Sequence, residues 1–295
     1  MKQFWIPGKI FLIGEYSVIE GGTAILAALK PGYGFKVDPE SGKPHPESPY
    51  GIYLKEFPEA RDERVGLFDR GLGPGFGSST AELLAGVASF LSAQGSDGVG
   101  EASRVLAWYQ DRFPKASGAD LAIQGVSQKG FQGVYSFKSR SEIGSHPLSS
   151  EIAQRIFIYK GRDSQKLATH VDLNSHAPKS KHGLNRSRCD AWATEFLSAI
   201  QGGSDFDSLN QFADHLAENG LETPYAHEVR IGFQSLPGVI AVKGCGAGLN
   251  DVFIVVLDST RAYADPATDP TVMGLRKVAD VFGLSFIGTL GDYLW

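Results

Sequence analysis

Cysteine is scarce in this chain: Cys189 and Cys245 are the only two among 295 residues, and they stand far apart in sequence. That excludes a disulfide framework and a zinc site of the clustered-cysteine kind, and it suits a reducing cytoplasm. Long apolar runs are missing too, and no stretch approaches the length that spans a bilayer. The opening Met-Lys-Gln-Phe-Trp-Ile-Pro lacks the charged, apolar and small-residue succession of a signal peptide and reads as the start of a strand. Positive charge is in deficit, with 28 Lys and Arg against 33 Asp and Glu, a net charge of −5 and a pI near 5.8. A nucleic-acid surface is therefore not expected, while a local positive pocket for a phosphorylated ligand is compatible with an acidic whole. Two common nucleotide motifs are absent. Without G-x-x-x-x-G-K-[ST] a P-loop NTPase is not expected, and without G-x-G-x-x-G after a strand the usual dinucleotide fingerprint is gone. The expectation is a cytoplasmic protein with no membrane span and no nucleic-acid partner.

What is present is an ordinary globular composition, 42% hydrophobic and 21% charged, in a chain long enough for one large domain or two ordinary ones. The stretch around which the rest is arranged is Gly71-Leu-Gly-Pro-Gly-Phe-Gly-Ser-Ser-Thr-Ala-Glu-Leu-Leu-Ala85. Leu83, Leu84, Val87, Ala88 and Leu91 recur at helical spacing, which predicts a helix from near Thr80 to Gly95. Ser79 and Glu82 have the spacing of a capping box. A glycine-rich loop feeding a helix N-terminus clusters backbone N–H donors at the positive end of the helix dipole, and both favour a polyphosphate.

Elsewhere, residues 4–13 are strand material interrupted by Pro7-Gly8, and another apolar run follows over Ala24–Leu29. Residues 33–38 and 50–55 read as two strands joined by a Pro-, Ser- and Gly-rich loop at 39–49. A helix is expected over 101–112, and short strands over Leu121–Val126 and Phe131–Phe137. The polar stretch 139–152 suggests a domain boundary, giving domains of 1–150 and 151–295. Beyond it the pattern predicts strands at 155–159, 239–242 and 252–257 and helices at 188–201, 206–218 and 270–282.

Three glycine-bearing segments stand early, in the middle and late: Pro7-Gly-Lys-Ile-Phe-Leu-Ile-Gly-Glu-Tyr16, Gly75-Phe-Gly-Ser-Ser-Thr-Ala81 and Lys243-Gly-Cys-Gly-Ala-Gly248. Together, and in this order, they resemble the three signature motifs of the GHMP kinases, which include galactokinase, homoserine kinase, mevalonate kinase and phosphomevalonate kinase. The resemblance implies an α+β two-domain fold, an N-terminal α/β domain plus a C-terminal ferredoxin-like domain, with the active site in the cleft. It implies an ATP-dependent kinase using Mg²⁺, in which Gly73, Gly75, Gly77, Ser78, Ser79 and Thr80, with Gly246, Ala247 and Gly248, bind the nucleotide. Ser79 matches the serine that reaches the metal, with Ser78 and Thr80 as auxiliary phosphate donors.

Ser117-Gly-Ala-Asp120 resembles the segment whose aspartate faces the acceptor. By that likeness Asp120 takes the acceptor's proton or orients it, and Lys9 helps neutralise the transferring phosphoryl group. The decarboxylases of the superfamily carry a different segment here. In mevalonate kinases a glutamate eleven residues before the aspartate is a metal contact; here that position is Tyr109, with Asp111 as a nearby substitute. Asp120-Leu-Ala, Gly133-Val-Tyr-Ser-Phe137 and Gly246-Ala-Gly-Leu-Asn-Asp251 resemble the phosphomevalonate branch, although Leu249 and Asn250 replace two glycines and would narrow the approach to a ligand. Arg162, Lys166, Thr169 and His170 are either substrate-phosphate ligands or part of a solvated loop, and His170, His176 and His182 read as surface residues. The acceptor is expected to be phosphomevalonate ahead of mevalonate, the alternatives being a sugar or amino-alcohol kinase or an inactive ligand-binding relative. The protein itself is expected to be a monomer or homodimer.

Overall fold

The computed structural model describes residues 2–38, 40, 43–73, 75–96, 102–114, 116–127, 133–139, 142–161, 184–246, 249–258 and 269–294. Contacts group the chain into two compact units, Met1–Ile10 with Leu26–Gly144, and Phe11–Ile25 with Ser145–Trp295. The segment 11–25 thus belongs with the C-terminal half.

The first unit is built on two long strands, β1 (Gln3–Ile13) and β2 (Ala24–Val37). Each runs through its Pro-Gly pair without a break. At Pro7-Gly8 and Pro31-Gly32 the chain therefore stays extended, and the apolar run at 24–29 and the strand expected at 33–38 are one element. A Cβ on Gly32 would stand 2.2 Å from the Ile6 carbonyl oxygen, so the close approach of β1 to β2 requires glycine there. β3 (Val65–Asp69) pairs antiparallel with β2, and β4 (Gly133–Ser139) and β5 (Glu142–His146) complete a sheet of order β1-β2-β4-β5.

Helices α1 (Pro49–Glu56), α2 (Ser78–Ala93), α3 (Ala102–Arg112) and α4 (Ala119–Ser127) belong to the same unit. Two of them replace expected strands. Residues 50–55 are helical because Ser48 accepts from the Gly51 N–H at 3.1 Å and Pro49 occupies the first helical position. Tyr50, Tyr53 and Leu54 then fall on one buried face. Residues 121–126 lie in α4, where nearly every position is buried, so the apolar run carries no periodicity by which to tell helix from strand. Its start is set by Ser117, whose hydroxyl accepts from the Ala119 N–H at 3.2 Å. The expected strand at 131–137 is β4 from Gly133; its first two residues lie outside those described.

The second unit contains β6 (Ile156–Lys160), β7 (Val239–Cys245), β8 (Val252–Leu257) and β9 (Ser285–Thr289). All neighbours are antiparallel and the order is β7-β8-β6-β9. Numbered within the unit, that is second, third, first, fourth, the ferredoxin-like arrangement. β6 and β8 are buried almost throughout, as a sheet's middle strands must be. Helices α5 (Ser150–Arg155), α6 (Arg186–Ile200), α7 (Asp207–Glu218), α8 (Pro224–Gln234), α9 (Pro270–Phe282) and α10 (Leu290–Leu294) complete it. α8 was not anticipated, although Thr223-Pro224 is a cap followed by a first-turn proline, and Thr223 accepts from the Ala226 N–H at 3.1 Å. Segment 11–25 is tied to α6 by the Thr23 N–H, which donates to Asp190 at 2.6 Å. Among the described residues no helix is long and apolar enough to cross a membrane.

Candidate active site

Lys9 points inward from β1, and its Nζ lies 2.9 Å from Oδ2 of Asp120 in the first turn of α4. The helix N-terminus favours a carboxylate there. Lys9 is buried, while the Asp120 side chain keeps 29% exposure, so the pair presents a carboxylate edge to the outside and hides its cation. Two buried tyrosines complete the surroundings. Burial first, and the Asp120 charge second, push the hydroxyls of Tyr33 and Tyr109 above the ordinary tyrosine range. Both therefore stay neutral at physiological pH. Tyr33 donates to the Gly73 carbonyl at 2.6 Å. It is a site residue that sequence reasoning missed; its signal was the pair of flanking glycines, Gly32 and Gly34.

The glycine loop is anchored to this pair. Gly71, Gly73, Gly75 and Gly77, on the way into α2, all have positive φ. The Lys9 N–H donates to the Phe76 carbonyl at 2.9 Å, and Gln124 Nε2 donates to the Gly77 carbonyl at 3.1 Å. With φ at +88°, Gly77 has no space for a side chain: a Cβ would lie 3.0 Å from Gln124 Nε2 and from Cγ and Cε of Lys9.

α2 begins at Ser78, earlier than its apolar spacing suggests, and Gly77 rather than a side chain caps it. The expected Ser79–Glu82 capping box does not form, because Ser79 is already the second helical residue; among the described residues no side chain caps α2. A helix N-terminus without a side-chain cap, fed by a glycine loop, suits an anion. Ser78 and Ser79 are half-buried there. Thr80 is different. It is 3% exposed, and its hydroxyl faces Gln124 Oε1 at 2.6 Å and the Gly77 carbonyl at 3.0 Å, so only its backbone N–H is available to a ligand.

Freed from any capping role, Glu82 is pushed above the usual carboxylate range by burial. A carboxyl raised in the fold costs no stability below its unfolded value, and the cost grows as the pH rises from there through its folded value. Glu82→Gln is therefore expected to raise the thermal midpoint at about pH 8 and leave it unchanged at about pH 4. Thermal unfolding at the two pH values checks this, and an equal effect at both would show that the carboxylate is well solvated.

Tyr109 is buried on α3, and Asp111, two residues on, is exposed about 200° round the helix. Asp111 therefore does not take the place of the expected glutamate. Among the described residues no group of three or more His, Cys, Asp or Glu could hold a metal ion. A magnesium ion carried by phosphates needs only one or two protein oxygens, and the Ser79 hydroxyl at the helix start fits that demand.

The late glycine segment lies in the second unit. Gly246 adopts φ +89° against Asp251, whereas Ala247 and Gly248 fall outside the described residues, as do Arg162, Lys166, Thr169, His170, His176 and His182. Leu249 and Asn250 do not narrow a ligand's approach as expected. Leu249 is buried against Gly244 and buried Asn250 accepts from the Thr223 hydroxyl, so both side chains turn into the core. The same segment begins with Lys243, 0% exposed, whose ammonium pairs with Glu15 and donates to the Gly244 carbonyl at 2.8 Å. Burial opposes that charge, but Cys245 and Glu15 override it and hold Lys243 above the ordinary lysine range. Sequence reasoning did not connect Glu15 with Lys243.

No family model matches the sequence, and no curated protein matches it. Solved structures do match over almost the whole chain. Streptococcus pneumoniae phosphomevalonate kinase in complex with phosphomevalonate and AMPPNP is 15% identical, with 97% of this chain and 98% of that chain covered and a TM-score of 0.68. Lactococcus lactis galactokinase complexed with galactose is 15% identical over 98% and 92%, with a TM-score of 0.68. Methanococcus jannaschii mevalonate kinase is 14% identical over 97% and 96%, with a TM-score of 0.65. At this identity the likeness establishes architecture, and the three proteins are named for different acceptors. The chain has the α+β fold of these small-molecule kinase structures.

Proposed function

We propose that this chain is an ATP-dependent small-molecule kinase acting on an isoprenoid-pathway acceptor, phosphomevalonate ahead of mevalonate. The observation that carries the reading is the direct link between acid and loop. Lys9 pairs with Asp120 through its side chain and holds Phe76 of the glycine loop through its backbone. In this reading the loop and the first turn of α2 bind the phosphates, and the Ser79 hydroxyl would help hold the Mg²⁺ that comes with them. Bound magnesium would supply neutralisation of phosphate charge. An acceptor oxygen bonds to the γ-phosphorus, the bond from that phosphorus to the bridging oxygen breaks, and ADP leaves. A hydroxyl acceptor gives its proton to Asp120, or is oriented by it; a phosphate acceptor has none to give, and positioning then carries most of the rate. The Lys9 ammonium neutralises charge on the transferring group.

The phosphomevalonate preference rests on Asp120-Leu-Ala, Gly133-Val-Tyr-Ser-Phe137 and the aspartate at 251, and on the likeness to the phosphomevalonate kinase structure. A second reading, a kinase for a sugar or an amino-alcohol, is favoured by the equal likeness to galactokinase. A third, a ligand-binding relative without turnover, draws on Tyr109 standing where a metal carboxylate is expected. Both cysteines are buried free thiols, which suits a cytoplasmic protein.

The test is ADP release from purified protein with MgATP and each of mevalonate, phosphomevalonate, homoserine and galactose. Turnover is expected with phosphomevalonate. Turnover with galactose or homoserine alone moves the assignment to the second reading, and tight ATP binding without turnover to the third.

A further inference from the structure

We infer that Gln124 is a positioning residue that fixes the glycine loop against the Lys9–Asp120 pair; this rests on the nucleotide reading of the loop. Gln124 is 0% exposed in a helix whose neighbours Leu121, Ala122, Ile123 and Gly125 are apolar or small. A buried amide costs stability unless it is hydrogen-bonded, and packing alone would be served by leucine. Here every part of the amide is used. Oε1 accepts from the Thr80 hydroxyl at 2.6 Å, and Nε2 donates to the Pro7 carbonyl at 2.8 Å and to the Gly77 carbonyl at 3.1 Å. Three segments meet on one side chain: β1 two residues before Lys9, the end of the loop, and the first turn of α2.

Gln124 also stands four residues beyond Asp120, on the same face of α4. A single helical turn therefore grips β1 twice, at Lys9 through Asp120 and at Pro7 through Gln124, and grips the loop as well. The effect on the loop follows from the planar trans peptide, whose C=O and N–H point in opposite directions. Lys9 draws the Phe76 carbonyl inward and Gln124 draws the Gly77 carbonyl inward. The N–H groups of Gly77 and Ser78, which share those peptide planes, are thereby aimed the other way, as donors to a phosphate. Lys9 thus sets the direction of the Gly77 donor, and the amide, sharing the Gly77 carbonyl with the Ala81 N–H and the Thr80 hydroxyl, fixes that of Ser78 and ties it to the helix that carries Asp120.

The experiment compares Gln124→Leu with Ile123→Ala, a core truncation on the same helix. MgADP affinity is measured by calorimetry, amide hydrogen exchange over residues 75–81 is followed without nucleotide, and the thermal midpoints are recorded alongside. Gln124→Leu is expected to weaken MgADP binding about tenfold, the order of the two bonds to the loop and α2 among the three it loses, and to accelerate exchange at Ala81, whose N–H donates to the Gly77 carbonyl. Ile123→Ala, at equal or greater loss of thermal stability, is expected to do neither. Should Gln124→Leu fail to fold, Gln124→Met follows the same side-chain path without the donors and carries the same comparison. MgADP affinity within twofold of wild type together with unchanged exchange would overturn the inference. If the wild-type protein itself binds no MgADP, the kinase reading falls and exchange alone decides the clamp: faster exchange than in Ile123→Ala upholds it, and equal exchange overturns it.

Discussion

Asp120→Asn is expected to lower kcat by about 10²- to 10⁴-fold with a hydroxyl acceptor, the usual contribution of a positioned acid–base group. The substitution keeps the side-chain shape and the first-turn position on α4, so nucleotide affinity is expected to stay within about threefold of wild type. What disappears is the carboxylate that faces outward and the counter-ion of a buried lysine. The same experiment discriminates between acceptors. With phosphomevalonate no proton has to leave the attacking oxygen, and a loss of only about tenfold marks Asp120 as an orienting group. Steady-state kinetics with both acceptor types are the measurement. If wild-type rates persist with every acceptor, Asp120 has no role in the chemistry and the site must be sought elsewhere.

Lys243→Met is expected to destabilise the protein by about 3–5 kcal/mol, because it leaves the buried Glu15 carboxylate without its ion-pair partner. Among the described residues Glu15 Oε2 has no hydrogen-bond partner, so none of them offers a second donor to compensate. In a unit of this size that corresponds to a fall of roughly 6–20 °C in the midpoint of its unfolding. The double variant Lys243→Met with Glu15→Leu is expected to recover much of the loss, since an apolar pair of similar volume often replaces a buried ion pair without net cost. Thermal unfolding of the wild type, the single variant and the double variant tests this. A loss below about 1 kcal/mol in the single variant would be the behaviour of an exposed pair and would contradict the burial described.

The parts legible in the sequence were those whose chemistry is local. A run of glycines before Ser78 reports the loop directly, and Lys9 and Asp120 could be picked out because Pro-Gly and Ser-Gly precede them. Where the reading failed, the reason was physical. The apolar residues of 121–126 are buried on all sides, and such a run has no face to reveal its period. Tyr50 and Tyr53 suggested a strand until Ser48 and Pro49 are recognised as a helix start. Thr80 looked like a phosphate donor, yet the direction of a hydroxyl depends on Gln124, a residue 44 positions away. Likewise nothing in Gly14-Glu15-Tyr16 announces Lys243, 228 residues later. Partners at such separation are fixed by topology, which only the fold supplies.

The allocation of β1 to both units changes what it means to divide this protein. Pro7-Gly-Lys-Ile-Phe-Leu-Ile-Gly-Glu-Tyr16 is a single unbroken motif in sequence, but Lys9 serves the first unit and Glu15 the second. A fragment beginning at Ser145 would keep the ferredoxin-like sheet and lose the carboxylate that neutralises buried Lys243. A fragment ending at Gly144 would keep the loop and the acid but carry with it residues 11–25, which pack with the half it has lost. The boundary by contacts is therefore not a boundary at which the gene can be cut, and the early motif acts as a shared component whose two ends are inherited together.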